Sequence, residues 1–397
     1  MVQARERLPW IDGLRGLACL AIFAHHFAGC FYPVLLYGSD QPGAGPVGVA
    51  LAQSPLAVLV NGNFWVCVFF VVGGFVAAWG RFGAEGGGRP LLRQLPRQLL
   101  HRYLRLTPPV FVISALVLLT LRLGLMTNMD FAARYGLYWP SIWYADDIYT
   151  VRSLCMESFV KLCFVGSDKF VGVLWSVCYL FYGNCLAALL AELGNKKPRL
   201  MFALCALLFA AGLLLGMRWC MYACFPLGTV LARLFWEGRF RARPLPGALL
   251  ILLALVLGAF PTFFTPDNAY RLLDFPVFLT ESFVFWHVLA AGMLVTGLCL
   301  IPGLRGLFSR RVPLWMGKIS FSLYLVHMPL LFSFGTGVFL LLDRPPLDSY
   351  PLLTVLTLAA TLPALLLLSA LFRRFVELPC TRLANKFEAW VFKSECS

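Results

Sequence analysis

Ten apolar segments, each close to 20 residues long, follow one another from Trp10 to Phe372 with no long polar stretch between them. A hydrocarbon core of about 30 Å is crossed by roughly 20 helical residues. Within that core each backbone amide must find its partner inside its own segment, which selects the helix. The segments lie at approximately 14–36, 56–80, 107–125, 171–193, 199–216, 219–236, 246–264, 279–301, 319–341 and 351–372. Of the 397 residues, 60% are hydrophobic and 13% charged, with mean hydropathy +0.79. A soluble domain of this size has too little interior to hide that much apolar surface. The expectation is an all-α membrane protein: a bundle of about ten transmembrane helices, forming a single domain over residues 1–397, multi-pass in a plasma or internal membrane.

Charge orients the bundle. The formal net charge is +14, which in a soluble chain would raise nucleic-acid binding. In a multi-span chain the same excess follows from basic cytoplasmic loops, so no nucleic-acid partner is expected. With the N-terminus inside, the cytoplasmic segments hold 24 Lys and Arg residues, among them Arg5, Arg7, Arg89, Arg93, Arg97, Lys386 and Lys393, against seven outside. Both termini are therefore expected in the cytoplasm. The N-terminus enters the first segment without a small-residue cleavage site, unlike a removable signal peptide. The thirteen cysteines form no C-x-x-C pair and no zinc spacing, and no metal is expected. Cys155 and Cys163 share an outer segment and are a candidate disulfide. The longest stretch between segments, about 126–170, carries Y-W-P-S-I-W-Y-A-D-D-I-Y-T with Asp146 and Asp147. It reads as a structured cap or acceptor-binding loop, or equally as an interfacial aromatic belt.

Ionisable groups inside spans are costly and face the protein interior or a cavity. The first segment contains W-I-D-G-L-R-G-L-A-C-L-A-I-F-A-H-H-F. Arg15 and His26 are eleven residues apart, which puts them on one helix face to within about 20° and separates them by about 16 Å along the axis. His25, about 100° round, faces elsewhere. His327 lies nine residues beyond Lys318, about 13 Å into its span, and His287 lies inside the eighth span. A single buried histidine is more often a structural hydrogen-bonding residue, but several imidazoles at one depth point to a polar chamber. There a neutral imidazole can act as general base on an acceptor hydroxyl.

A second cluster, R-Q-L-L-H-R-Y-L-R-L-T-P-P, places Arg97, Arg102 and Arg105 just before the third span. Positive-inside statistics explain part of it. The specific reading is an anionic phosphate ligand, for which guanidinium groups are bidentate donors. Coenzyme A fits, with its phosphates at the surface and its pantetheine arm carrying a thioester toward His26.

D-G-L-R-G with Arg15 and then His26, F-F-V-V-G-G-F from Phe69, R-Y-L-R-L-T-P-P from Arg102, L-W-S-V from Leu174, M-G-K-I-S-F-S-L-Y-L-V-H from Met316 and F-V-E-L-P from Phe375 follow in order along nearly the whole chain. In this series the chain resembles the acyltransferase 3 family of integral-membrane O-acyltransferases. The resemblance implies ten transmembrane helices and transfer of an acyl group, acetyl or another short chain, from cytoplasmic acyl-CoA to a hydroxyl of a glycan, lipid or small metabolite. It makes His26 and Arg15 the catalytic residues and Arg102 and Arg105 the acyl-CoA-binding pair. Asp12, His287, Tyr324 and His327 are further candidates for the chamber. Two positions depart from the family pattern. Gly73 stands where Ser is usual, and Leu180 stands where a Glu follows the fourth-span Trp, leaving Asp12 as the nearest replacement acid by sequence. Two other classes remain open at this stage: a transporter of an anionic metabolite, and a non-catalytic relative.

Overall fold

The computed structural model describes residues 7–82, 91–145, 149–347 and 349–392, with the backbone alone for 91–94. Arg5, Arg89, the Arg93 side chain, Asp146, Asp147 and Lys393 lie outside the described residues. Among the described residues there is no β-strand beyond two isolated bridges, and ten helices have 15 residues or more. They are α1 (Pro9–Phe31), α2 (Gly62–Trp79), α3 (Leu91–Arg122), α4 (Trp175–Lys196), α5 (Pro198–Leu214), α6 (Met217–Trp236), α7 (Pro244–Gly258), α8 (Ser282–Leu300), α9 (Arg311–Leu342) and α10 (Tyr350–Val391). Each coincides with one of the expected segments. Seven of them, α1 to α4 and α8 to α10, are long and apolar enough to cross a membrane. Helices α5 and α7 are apolar but shorter, at 17 and 15 residues.

The boundaries differ from the sequence reading in instructive ways. Helix α1 begins at Pro9 rather than 14, because proline suits the first helical position, where no N–H is needed. Helix α3 begins at Leu91 rather than 107 and runs through Pro108 and Pro109. On that turn the Thr107 hydroxyl donates to the Tyr103 carbonyl at 2.8 Å, an extra bond where two prolines donate none. The basic cluster is therefore helical. Helices α9 and α10 each carry one π-helical turn, Leu331–Gly335 and Arg373–Glu377.

Helix α2 is enclosed by α1, α4, α6 and α8, and α1 also packs along α9. The α1–α9 contact is made by backbone. A methyl group added at Gly16 would lie 2.6 Å from the Gly317 nitrogen, and one added at Gly317 would lie 2.1 Å from the Asp12 carbonyl oxygen. One turn on, the Cys19 thiol donates to the Ser320 carbonyl at 3.1 Å. Small residues permit this approach, the usual means of helix association in lipid. Gly16 precedes His26 by ten residues and Gly317 precedes His327 by ten. The two parallel helices thus rise by the same distance, about 15 Å, to their histidines.

The stretch after α3 is a folded cap. Asn128 Nδ2 donates to the carbonyls of Pro140 and Trp143, both at 2.9 Å. At its edge the Tyr135 hydroxyl and Arg134 (2.5 Å) bind Asp343, and these hydrogen bonds hold its carboxyl below the usual carboxylate range. Their contribution is present at neutral pH and is lost as pH falls through that lowered value. Cys155 and Cys163 are separate thiols, one exposed and the other buried, so the candidate disulfide is not formed.

The glycine contact yields a test. Gly317→Leu is expected to destabilise the protein by about 3 kcal/mol or more, because backbone must move to admit the side chain. Gly306→Leu, at a position with nothing within 4 Å, should change little. Thermal unfolding of the detergent-solubilised protein checks both, and equal midpoints would remove the contact from its structural role.

Candidate functional site

The parallel course of α1 and α9 brings His26 and His327 together. His327 Nε2 lies 3.1 Å from His26 Nδ1, with ring centroids 5.0 Å apart. Their other contacts set the tautomers. His26 Nδ1 is 2.9 Å from the Ile22 carbonyl and His327 Nδ1 is 3.1 Å from the Leu323 carbonyl. A carbonyl only accepts, so in the neutral rings both Nδ1 atoms carry the proton. His327 Nε2 then offers a lone pair to the His26 Nδ1–H, which is shared with Ile22. His26 Nε2 keeps its lone pair with no hydrogen-bond partner among the described residues. Half-buried His26 is also covered by Trp139 of the cap, stacked at 5.8 Å and 27°.

Tyr324 stands one turn before His327, its ring 5.8 Å away. Its hydroxyl donates to the Val173 carbonyl at 2.9 Å and is 2.7 Å from Ser176 Oγ. That contact joins the L-W-S-V segment of α4 to the late motif on α9. His25 turns away from the pair, its Nδ1 donating to the Val60 carbonyl at 2.8 Å. His287 is fully buried elsewhere. Its Nδ1 is 2.9 Å from Asn63 Oδ1, and its Nε2 is 3.0 Å from the Phe260 carbonyl and 3.1 Å from Asn61 Nδ2. The structure gives it no contact with His26 or His327.

At the other end of α1, Arg15 lies 3.7 Å from Asp12 and within electrostatic reach of Arg105 and Glu377. Arg102 is half-buried beside Cys185 of α4 and within reach of Arg105 and Arg81. Arg102 and Arg105 make no ion pair or hydrogen bond with a described residue. Arg97, in contrast, is tied to Glu388 at the end of α10. Helices α1 and α3 and the turn after α2 thus converge guanidinium groups on one end of the bundle, two of them, Arg102 and Arg105, without a carboxylate partner among the described residues.

Asp12 does not replace the missing acid. It is bound by Arg7 at 2.8 Å and lies fourteen residues before His26, about 21 Å along the helix. Among the described residues no carboxylate bonds to either imidazole of the pair. The two departures from the family pattern are instead in contact with each other. A Cβ at Gly73 would lie 3.3 Å from Leu180 Cδ2 and 3.1 Å from Asn184 Oδ1, an atom buried without a hydrogen-bond partner. A polar pair and its reciprocal space are absent together. Sequence reasoning passed over Glu377, which is buried and accepts from Ser322 Oγ at 2.6 Å. Its only signal was a place in the F-V-E-L-P segment. Trp139 was likewise hidden within an aromatic-rich loop.

Comparison with known proteins identifies the family. A family model described as an acyltransferase domain, of the acyltransferase 3 type, matches residues 8–372. The chain is similar to acyltransferase clz18 of Cochliobolus lunatus, at 22% identity over 95% of this chain and 94% of the relative. It is also similar to acyltransferase R4 of a Phoma species, at 24% identity over 95% of each. No solved structure matches the chain.

The Gly73–Leu180 contact predicts coupling. Leu180→Glu alone should cost about 2–4 kcal/mol by burying a carboxyl without a partner. Adding Gly73→Ser should make the double variant more stable than the sum of the single losses by at least about 0.5 kcal/mol. Unfolding of the four proteins in detergent measures this, and strict additivity would show that the positions act separately.

Proposed function

We propose that this chain, which belongs to the acyltransferase 3 family and is an acyltransferase moving groups other than aminoacyl groups, takes a short acyl group from acyl-CoA at its arginine-rich end. The group passes to a hydroxyl of a glycan, lipid or small metabolite held beside His26. The observation that carries this reading is the His26–His327 pair: a base atom left free, and its proton-bearing partner atom already held. His26 Nε2 removes the hydroxyl proton as the oxygen attacks the thioester carbonyl. The new C–O bond forms, the C–S bond breaks, and the departing thiolate takes that proton back from His26. No net proton is produced. His327 Nε2 accepts from the His26 Nδ1–H, which steadies the transient imidazolium where the family's usual carboxylate is absent. Arg15, Arg102 and Arg105 would hold the phosphates. The interval of about 16 Å along α1 from Arg15 to His26 suits the pantetheine arm.

The same reading places ten crossings in the bilayer and both termini in the cytoplasm, supported by the 24-to-7 distribution of basic residues. Helices α5 and α7, about 26 and 23 Å long, are short for the core, and local thinning or their flanking loops accommodate the mismatch. Cysteine-accessibility labelling should find Arg97 and Lys386 on one side and Tyr149 on the other. Lys386 on the side of Tyr149 would require an odd number of crossings.

With acetyl-CoA as donor, His26→Ala should lower acyl transfer by about 10²–10⁴-fold, the usual worth of a general base. His327→Phe should lower it by about 10–100-fold, the scale of one hydrogen bond to a charged group. Undiminished transfer in a well-expressed His26→Ala protein would remove this mechanism. Arg105→Ala should weaken donor binding by about 1.5–3 kcal/mol, while Arg239→Ala, on a different loop, should have little effect. Equal losses would indicate a diffuse positive field in place of a site.

A further inference from the structure

The end of the bundle opposite the arginines holds a polar feature that the transfer step does not use. A small cavity there has room for about one water-sized group. Its polar lining is His25, Asn61 and Thr262, and Leu36, Pro261 and Phe263 wall it. Asn61 is already committed. Its Nδ2 donates to the Phe260 carbonyl at 2.8 Å and lies 3.1 Å from His287 Nε2, and its Oδ1 accepts from Thr262 Oγ1 at 3.4 Å. His25 is not. Its Nδ1 donates to the Val60 carbonyl, so in the neutral ring Nε2 keeps a lone pair, and that atom has no partner among the described residues. The His25 and His26 rings are 5.0 Å apart and nearly perpendicular. Two successive residues of α1 thus each carry an imidazole Nε2 without a partner among the described residues, His26 beside His327 and His25 in the lining of the cavity. Phe263 lies against His25 at 6.1 Å and offers an apolar face to the C–H surface of whatever enters.

We propose that this cavity is a second anchoring point for the acceptor: a hydroxyl neighbouring the one that reacts enters it and donates to His25 Nε2. The acceptors are then polyhydroxy compounds, glycans or polyol metabolites, in preference to single-hydroxyl alcohols. A monohydric alcohol can use only one of the two lone pairs, and the cavity is too small for an alkyl chain. His287 acts at a distance here, holding Asn61 in the lining. This inference rests on the acyl-transfer reading above and narrows its acceptor.

The test uses the purified full-length protein, acetyl-CoA as donor, and glycerol and 1-propanol as paired acceptors, with CoA release followed over acceptor concentration. Glycerol should half-saturate at about a tenfold lower concentration than 1-propanol, the worth of one added hydrogen bond. His25→Leu should raise the glycerol value to that of 1-propanol and leave half-saturation by acetyl-CoA where it was. His25→Gln, which keeps an acceptor atom, should recover part of the difference. Equal half-saturation by the two alcohols in the unaltered protein overturns the proposal. So does a His25→Leu protein in which glycerol, 1-propanol and acetyl-CoA are all weakened together, the mark of a structural defect. An unaltered protein that releases no CoA with water, glycerol or 1-propanol would instead remove the acyl-CoA reading, and this inference with it.

Discussion

The backbone contact between Gly16 and Gly317 governs the geometry of the whole site. Lipid gives helices little hydrophobic reason to associate, so close packing and interhelical hydrogen bonds must supply it. With no side chain at either position, α1 and α9 touch through their main chains and run parallel. Equal spacing from glycine to histidine on both helices then brings two imidazoles within hydrogen-bond distance. A side chain at either glycine would push the helices apart by more than the His26–His327 bond can stretch. The cap covers His26 through Trp139, and α2 and α4 reach the neighbouring Tyr324 through Phe69 and Ser176.

Polar groups buried at this depth survive by committing their donors and acceptors to one another. His327 bonds its own preceding turn, His287 bonds Asn61 and Asn63, Tyr324 bonds Ser176 and Val173, and Glu377 bonds Ser322. Against that background the uncommitted atoms are few, and they are informative. Positive charge collects at one end of the bundle, and neutral imidazoles lie toward the other. A substrate with an anionic head and an uncharged reactive tip matches that gradient.

The one-dimensional features were readable from the chain. Hydropathy located all ten long helices, since a span's apolar length is a local property. Helical phase separated His26 from His25, because about 100° per residue suffices to turn one toward α9 and the other toward Val60. Meetings between helices were not readable. Equal depth suggested that His287 joined the others, but it sits on another face with asparagines of its own. Asp12 was the nearest acid in sequence, yet distance along a helix put it about 21 Å away from His26. The Gly73–Leu180 contact looked like two independent irregularities until the fold set them side by side. Helix α3 continues through Pro108 and Pro109, which a rule about proline alone does not anticipate.

The sequence separation of 301 between His26 and His327 has a consequence for biogenesis. At roughly 5–20 residues per second of synthesis, the ninth helix emerges about 15–60 s after the first. Throughout that interval α1 sits in or beside the bilayer with Arg15 and His26 lacking their eventual neighbours on α9 and α10. Until α9 arrives, α1 carries those two polar side chains against lipid or the helices already made, at the cost that ionisable groups in a span incur. A ribosome that stops before α9 leaves a nascent fragment with His26 and Arg15 but without His327.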